Sequence, residues 1–170
     1  MSEHERTEPL LSLSKGTQQQ PVGIITARWN TRVTAALETG ALSFLKAQGF
    51  ADRQCYHHQV PGSFELPLGV QYLAEHTPAQ GIIALGCLIQ GETPHFHYIA
   101  DAVTEKLSNL TLRYHIPVSY GLLTVNDQAQ AEARAGGEQG NKGEEAASAM
   151  LQMMELKQTL ASRKVQAGFH

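Results

Sequence analysis

Aromatic and polar residues that could bind and transform a small molecule follow each apolar segment of this chain. The segments 22–27, 55–60 and 81–89 are followed by RWN, PGSFE and QGETPHFH. In the apolar segment 117–125, we expect the chain to begin to leave the strand near Tyr120. An indole can stack on a flat ring, carboxylates and hydroxyls can bind polar groups, and imidazoles move protons near neutral pH. Ligands of parallel α/β sheets bind beyond the carboxyl ends of the strands, so we expect these groups to meet at one edge.

Common motifs for phosphate binding and for nucleophilic catalysis do not fit these segments. Gly86 and Gly91 have the glycine spacing of a P-loop, but Glu92 stands where the phosphate-binding lysine is needed. No G-x-G-x-x-G follows the first apolar segment, which argues against a Rossmann dinucleotide site. Ser63 lacks the flanking glycines of a nucleophile elbow. Another kind of site is therefore expected.

The histidines do not form a convincing metal site. His57 and His58 are adjacent on a predicted strand, so their side chains point to opposite faces. His95 and His97 could share a metal in an extended loop, but no third ligand is obvious. We therefore predict that the chain binds no metal.

The order of the segments predicts the fold. Apolar runs alternate with amphipathic segments, which is typical of a doubly wound α/β fold with a four-stranded parallel sheet flanked by helices. Segment 81–89 is apolar on both faces, as a central parallel strand should be. The predicted strands are 22–27, 55–60, 81–89 and 117–125, and helices are predicted from about 31, at 67–76, around 99–110, at 127–135 and from about 143.

Local signals refine the last part of the chain. Asn126 is a candidate N-cap for the helix at 127–135, and Asn141 with Glu144 has the spacing of a capping box. The methionines at 150, 153 and 154 form a stripe that is more typical of a core than of a cofactor site.

Both ends of the chain are polar and are expected to lie outside the folded domain. We predict a flexible N-terminal arm over residues 1–20, an α/β domain over 21–160 and a polar, fraying C-terminal tail over 161–170. The arm contains one apolar cluster, at residues 10, 11 and 13, which could add a strand to a neighbouring subunit.

Composition excludes several classes of protein. Thirteen Lys and Arg against 16 Asp and Glu give a net charge of −3, so there is no basic surplus for nucleic acid. The longest apolar run, 81–89, is too short to cross a membrane. The N-terminus has three glutamates and lacks the order of a signal peptide, so we expect a cytoplasmic protein with reduced Cys55 and Cys87.

Three blocks of the sequence resemble a known family. VPGSFELP, ALGCLIQGETPHFHY and RAGGEQGNKGEEAA look like signature blocks of 6,7-dimethyl-8-ribityllumazine synthases, and the aromatic–Asn pair after segment 22–27 and the stretch IPVSYGLLTV also match. The resemblance covers about residues 21–160 and implies a flavodoxin-like fold. It also implies homo-pentamers, or multiples of them up to a hollow shell, with sites at the subunit interfaces.

The same resemblance implies an activity. The family condenses 5-amino-6-(D-ribitylamino)uracil with 3,4-dihydroxy-2-butanone 4-phosphate in the penultimate step of riboflavin biosynthesis, releasing phosphate and water. It uses neither a metal nor an organic cofactor. Besides these two small-molecule substrates and further copies of the chain, riboflavin synthase is a conceivable partner, whereas nucleic acid and membrane are not expected.

Site residues are assigned by the same resemblance. His95 matches the histidine that transfers protons. The positions that match those binding the pyrimidine and its ribityl chain are Trp29, Ser63, Phe64, Glu65, Cys87, Leu88, Ile89 and Tyr120. The positions that match those binding the butanone phosphate are Glu92, Thr93, Arg134 and Lys142.

Two positions depart from the family pattern, and two other functions remain open. His97 stands where relatives usually have Asp or Glu, so an orienting or charge-balancing carboxylate is missing there. Glu138 stands where many relatives have Lys, so local positive charge for the phosphate is reduced. An archaeal-type riboflavin synthase would join two lumazines on a similar fold, but the GETPH and GNKG blocks argue against it. A non-catalytic flavin-binding or shell-forming relative is the other alternative.

Overall fold

A four-stranded parallel sheet organises the computed structural model, which describes residues 10–166. Its strands are β1 (Val22–Ala27), β2 (Cys55–Val60), β3 (Ile82–Ile89) and β4 (Val118–Val125), in the spatial order β2-β1-β3-β4. A small antiparallel ribbon, β5 (Ala135–Gly137) with β6 (Gly140–Asn141), lies outside the sheet. The predicted strands and the doubly wound α/β class are confirmed.

Helices cover both faces of the sheet. They are α1 (Lys15–Gln18), α2 (Thr31–Ala47), α3 (Leu66–His76), α4 (His95–Tyr114), α5 (Gln128–Arg134) and α6 (Lys142–Gln166). Pro67 lies in the first turn of α3, where its missing N–H costs nothing. Among residues 10–166, no helix combines the length and the apolarity needed to span a membrane.

Two hydrophobic cores lie on opposite faces of the sheet because side chains alternate along each strand. On β1, Ile24 packs into the core formed with α2 and α6, whereas Ile25 packs into the core formed with α3 and α4. β3 divides its side chains in the same way between the two cores. This two-sided burial explains why segment 81–89 is continuously apolar.

The N-terminal segment packs against the domain from residue 11 onward. The backbone N–H and hydroxyl of Ser14 both donate to Glu155 on α6 at 3.0 Å, and the Ser14 hydroxyl accepts from the N–H of Thr17 to cap α1. Leu11 and Leu13 contact the core on the α2 and α6 face. This packing differs from the expected mobile arm, and residues 10–13 form no strand within this chain. Residues 1–9 of that arm lie outside the described residues.

The cap of α5 differs from the prediction. Asp127, rather than Asn126, is the N-cap, because Asp127 has an extended backbone and its Oδ1 accepts from the N–H of Gln130 at 2.8 Å. Asn126 lies one residue earlier, and its backbone N–H donates to the side chain of Gln130.

Helix α6 also differs in two details. Met150 and Met154 are buried as expected, but Met153 is 53% exposed, so the prediction of a core position was wrong for that residue. Its side chain lines the open cavity along β4 and α6, which leaves it accessible to solvent. The helix does not fray after Leu160 but continues to Gln166.

Asn141 joins the start of α6 to α2. Its Oδ1 accepts from the N–H groups of Gly143 and Glu144 at 2.9 and 3.3 Å, which confirms it as the cap, and its Nδ2 donates to the carbonyl of Ala36 at 2.9 Å. At Gly143 the two helices are so close that a Cβ would lie 2.0 Å from the carbonyl oxygen of Leu37. Glycine is therefore required at this position.

We expect Gly143→Ala to lower the free energy of unfolding by about 1–3 kcal/mol, because the methyl group would meet backbone atoms that cannot rotate away. Urea denaturation followed by circular dichroism measures this loss. Gly91→Ala is the matched control, because nothing lies within 4 Å of a Cβ at Gly91. Equal stability of the two variants would contradict the close contact.

Candidate active site

Trp29 lies at the carboxyl edge of the sheet with its ring largely exposed. After β1 the chain continues alongside β2, since the N–H of Arg28 donates to Val60 and the N–H of Trp29 donates to Pro61. The indole lies on Gly62, where an added Cβ would be 2.6 Å from a ring carbon, and 67% of the residue is exposed. The backbone thus holds an aromatic face toward solvent, a geometry that suits stacking on a flat ring.

Asn30 ties the ends of β1 and β3 together. It adopts the left-handed conformation, with φ 60° and ψ 43°, as the chain turns from β1 into α2. Its Nδ2 donates to the carbonyl of Cys87 at 2.9 Å, two residues beyond the last backbone pair of these strands, Thr26 with Leu85. Sequence comparison pointed to the aromatic–Asn pair, but this role of the Asn side chain emerges only from the contact.

The segment after β2 forms a short 3₁₀ turn over Ser63–Glu65. One carboxylate oxygen of Glu65 accepts from the N–H of Gly62 at 2.9 Å, which fixes the turn beneath the indole of Trp29. Phe64 is 59% exposed, whereas Ser63 is buried with its hydroxyl near Gly86. Phe64 and Glu65 thus lie close to Trp29, and Ser63 points toward β3.

The end of β3 carries mainly apolar side chains. Cys87 is buried, and this burial raises the pKa of its thiol to about 11, so the thiolate needed for nucleophilic attack is disfavoured at neutral pH. Leu88 and Ile89 are half-buried. The Cys87 side chain therefore acts as a small hydrophobic group rather than as a nucleophile.

The polar residues that follow β3 are exposed. Glu92 and Thr93 lie in the loop, and His95 begins α4 directly after Pro94. His97, one of the departures from the family pattern, makes an edge contact with the ring of Phe96 at 5.2 Å between centroids. An exposed imidazole at this edge can exchange protons with a bound molecule and with solvent.

Tyr120, Arg134 and Lys142 lie elsewhere, around a cavity of about 750 Å³ between β4 and α6. Tyr120 pairs with Ala84 inside the sheet and is five residues before Val125, roughly 16 Å from the carboxyl edge at the rise of a β-strand. The expected exit of the chain near Tyr120 was wrong, because β4 continues to Val125.

The two cations at this cavity have different partners. Lys142 forms an ion pair with Glu145 at 2.6 Å. Arg134 is half-buried and donates from Nη1 to the carbonyl of Gln130 at 3.2 Å. Glu132, a conceivable partner of Arg134 on the same helix, instead pairs with Arg32 at 3.3 Å. The guanidinium has five N–H donors, so it retains capacity for an anion.

The structure thus divides the predicted site residues into two groups, named here by their position. The edge group contains Trp29, Phe64, Glu65 and the residues that follow β3; the cavity group contains Tyr120, Arg134 and Lys142. Neither Trp29 nor His95 lines the cavity near Arg134. A second cavity of about 740 Å³ is lined by His97, Thr104 and Tyr120 among others. Over residues 10–166, no three His, Cys, Asp or Glu side chains are arranged to hold a metal ion.

Comparison with known proteins assigns the chain to a family. The sequence profile of 6,7-dimethyl-8-ribityllumazine synthase matches residues 19–158. The chain is similar to the 6,7-dimethyl-8-ribityllumazine synthase of Phocaeicola vulgatus, with 40% identity over 143 residues, covering 84% of this chain and 85% of that protein.

Proteins with the same name from two other bacteria are equally similar. The protein from Bdellovibrio bacteriovorus is 43% identical over 139 residues, covering 82% of this chain and 76% of the relative. The protein from Parabacteroides distasonis is 43% identical over 133 residues, covering 78% and 83%. With a match over most of its length, the chain belongs to the 6,7-dimethyl-8-ribityllumazine synthase family.

Proposed function

We propose that this protein is a 6,7-dimethyl-8-ribityllumazine synthase acting in riboflavin biosynthesis. It condenses 5-amino-6-(D-ribitylamino)uracil with 3,4-dihydroxy-2-butanone 4-phosphate and releases phosphate and water. The family match over residues 19–158 carries this proposal. Free Cys55 and Cys87 are in keeping with a reducing compartment such as the cytoplasm, where we place the enzyme.

The edge group is suited to the pyrimidine. The exposed indole of Trp29 offers a stacking platform, and Phe64 adds a second exposed aromatic ring nearby. Glu65 can accept hydrogen bonds from hydroxyls of the ribityl chain, and backbone groups at the end of β3 can pair with the edge of the ring. We therefore assign Trp29, Phe64 and Glu65 of the edge group, with Ser63 and residues 87–89, to this substrate.

In the cavity group, Arg134 and Lys142 are suited to the phosphate and Tyr120 is suited to lining the pyrimidine site, but the group is separate from the edge group in one chain. We propose that the two groups meet between neighbouring copies in a homo-pentamer or a multiple of it. The exposed rings of Trp29 and Phe64 support this arrangement. So do Leu68 and Tyr72, which follow Phe64 at four-residue spacing and are 49% and 54% exposed. An apolar surface of this kind is typical of an interaction site.

Within such a site the phosphate would meet groups from both copies. Arg134 binds it through the guanidinium fork, and Lys142 adds positive charge that Glu145 partly offsets. Thr93 donates its hydroxyl and Glu92 contributes its backbone N–H from the opposite side. Glu138, exposed on the loop between β5 and β6, supplies no cation to replace the lysine of relatives.

The reaction then needs positioning and proton transfer more than covalent help from the protein. Binding both substrates in one oriented complex can supply several kcal/mol of the barrier. The 5-amino group attacks the ketone and water leaves, phosphate is eliminated, and ring closure by the ribitylamino nitrogen with loss of a second water gives the lumazine. His95 accepts and returns protons during these steps, a role for which an imidazole is suited near neutral pH.

Incubation of the purified protein with both substrates tests the activity directly. We expect formation of the lumazine, measured by its absorbance and fluorescence. Riboflavin formation from two lumazines, without condensation of the two substrates, would indicate an archaeal-type riboflavin synthase instead. Flavin binding without either reaction would indicate a non-catalytic relative.

His95→Ala is expected to lower kcat by roughly two to four orders of magnitude, with smaller changes in the KM of either substrate, because its role is proton transfer. Steady-state kinetics with each substrate varied in turn separate the change in kcat from the changes in KM. His58→Ala is the matched control, since His58 is exposed on β2 away from the edge group. A His95 variant that retained the parent rate within a few-fold would contradict the assigned role.

Arg134→Ala is expected to raise the KM for the butanone phosphate by roughly 10- to 150-fold, the cost of removing a charged hydrogen-bond partner. The KM for the pyrimidine should stay nearly unchanged, because that substrate carries no strong anion. Inorganic phosphate should compete with the butanone phosphate in the parent and less in the variant.

The matched control for this prediction is Arg163→Ala, which removes an exposed arginine near the end of α6. Its kinetic constants should equal those of the parent. If Arg134→Ala weakened both substrates equally, Arg134 would be holding the loop or the subunit interface, and the phosphate pocket would have to be sought around Lys142.

A further inference from the structure

The hydroxyl of Thr104 contacts the phenol of Tyr120. The two oxygens, one on α4 and the other on β4, are 2.9 Å apart, and the residues are 16 positions apart in the chain. Both residues are exposed, and both line the cavity of about 740 Å³ beside α4. This contact joins a helix that begins at His95 to the strand that carries the aromatic ring of the cavity group.

The hydroxyl of Thr104 has a different kind of hydrogen-bond partner from the hydroxyls of two other helical threonines. Thr39 donates to the carbonyl of Ala35, and Thr111 donates to the carbonyl of Leu107, so both bond within their own helix. That pattern is the usual one for threonine inside a helix. The hydroxyl of Thr104 instead meets a side chain on the neighbouring strand.

The ring of Tyr120 lies on an edge strand and is partly exposed. β4 is an edge strand that pairs only with β3, and 44% of Tyr120 is exposed. A tyrosine side chain on such a strand can rotate about two torsions. A hydrogen bond at the far end of the ring restricts both torsions and therefore selects one orientation of the aromatic face.

We propose that Thr104 is a positioning residue that holds the Tyr120 ring in the orientation that forms a wall of the pyrimidine site. This inference rests on the proposed function. Without the bond, substrate binding must itself order the ring, so affinity for the pyrimidine falls. The chemical steps and the phosphate contacts are expected to be unaffected, because Thr104 lines the cavity of about 740 Å³ whereas Arg134 and Lys142 line the other cavity.

Thr104→Val removes the hydroxyl while keeping the branched shape of the side chain. We expect the KM for 5-amino-6-(D-ribitylamino)uracil to rise about three- to tenfold, the usual cost of ordering one side chain on binding. The kcat and the KM for the butanone phosphate should remain those of the parent. Thr104→Ser keeps the hydroxyl and should restore the parent KM, and Thr39→Val is the control for removing a helical hydroxyl far from the site.

A double-mutant cycle with Tyr120→Phe identifies the bond itself. Tyr120→Phe should raise the same KM by the same factor, and the double variant should be no worse than either single variant, because all three lack one and the same bond. A larger effect of Tyr120→Phe than of Thr104→Val would mean that the phenol acts on the substrate directly, which would overturn the positioning role.

Two further outcomes separate this inference from the proposed function. An active parent with an unchanged KM in Thr104→Val, or with additive effects in the double variant, would overturn the role of Thr104 alone. A parent that forms no lumazine from the two substrates would overturn the proposed function, and the inference with it.

Discussion

The hydrogen bond from the Asn30 amide to the Cys87 carbonyl organises the edge of the sheet. It lies two residues beyond the last backbone pair between β1 and β3, so a side chain satisfies a carbonyl that the strand ladder leaves open. The left-handed backbone of Asn30 turns the chain into α2 at the same point. Trp29, one residue earlier, is thereby held with its backbone along β2 and its ring outward.

Close backbone approach is the second constraint, and glycine makes it possible. At Gly62 the missing side chain leaves room for the Trp29 ring, and at Gly143 it lets α6 begin against the carbonyl of Leu37 in α2. The first contact shapes the aromatic platform, and the second places the start of α6, and with it Lys142, beside the β4 cavity. The aromatic platform and the placement of α6 therefore both depend on the absence of a Cβ at a crowded position.

The separation of the edge group from the cavity group within one chain is the reason for proposing an assembly. Trp29 and Phe64 expose their rings, while Arg134 and Lys142 line a cavity beside the other part of the sheet. An enzyme that must hold a flat pyrimidine and a phosphorylated ketone together benefits from placing the two recognition surfaces on different copies. Each site would then be complete only where two copies meet, so catalysis would depend on assembly.

The amino-acid sequence by itself determined the strands, the doubly wound class and the family, because the alternation of short apolar runs with amphipathic segments and the ordered motif blocks are local properties of the chain. It also identified Asn141 as a cap and Cys87 as a buried, unreactive thiol. It did not determine that Asp127 rather than Asn126 caps α5, that Met153 is exposed, or that Ser14 ties the N-terminal segment to Glu155. The exposure of Met153, the Ser14–Glu155 contact and the Tyr120–Thr104 bond were decided by tertiary structure, since each depends on which surfaces distant segments bring together. The choice of Asp127 as the cap and the distance of Tyr120 from the carboxyl edge follow from the end of β4 at Val125, which its pairing with Ile89 of β3 sets.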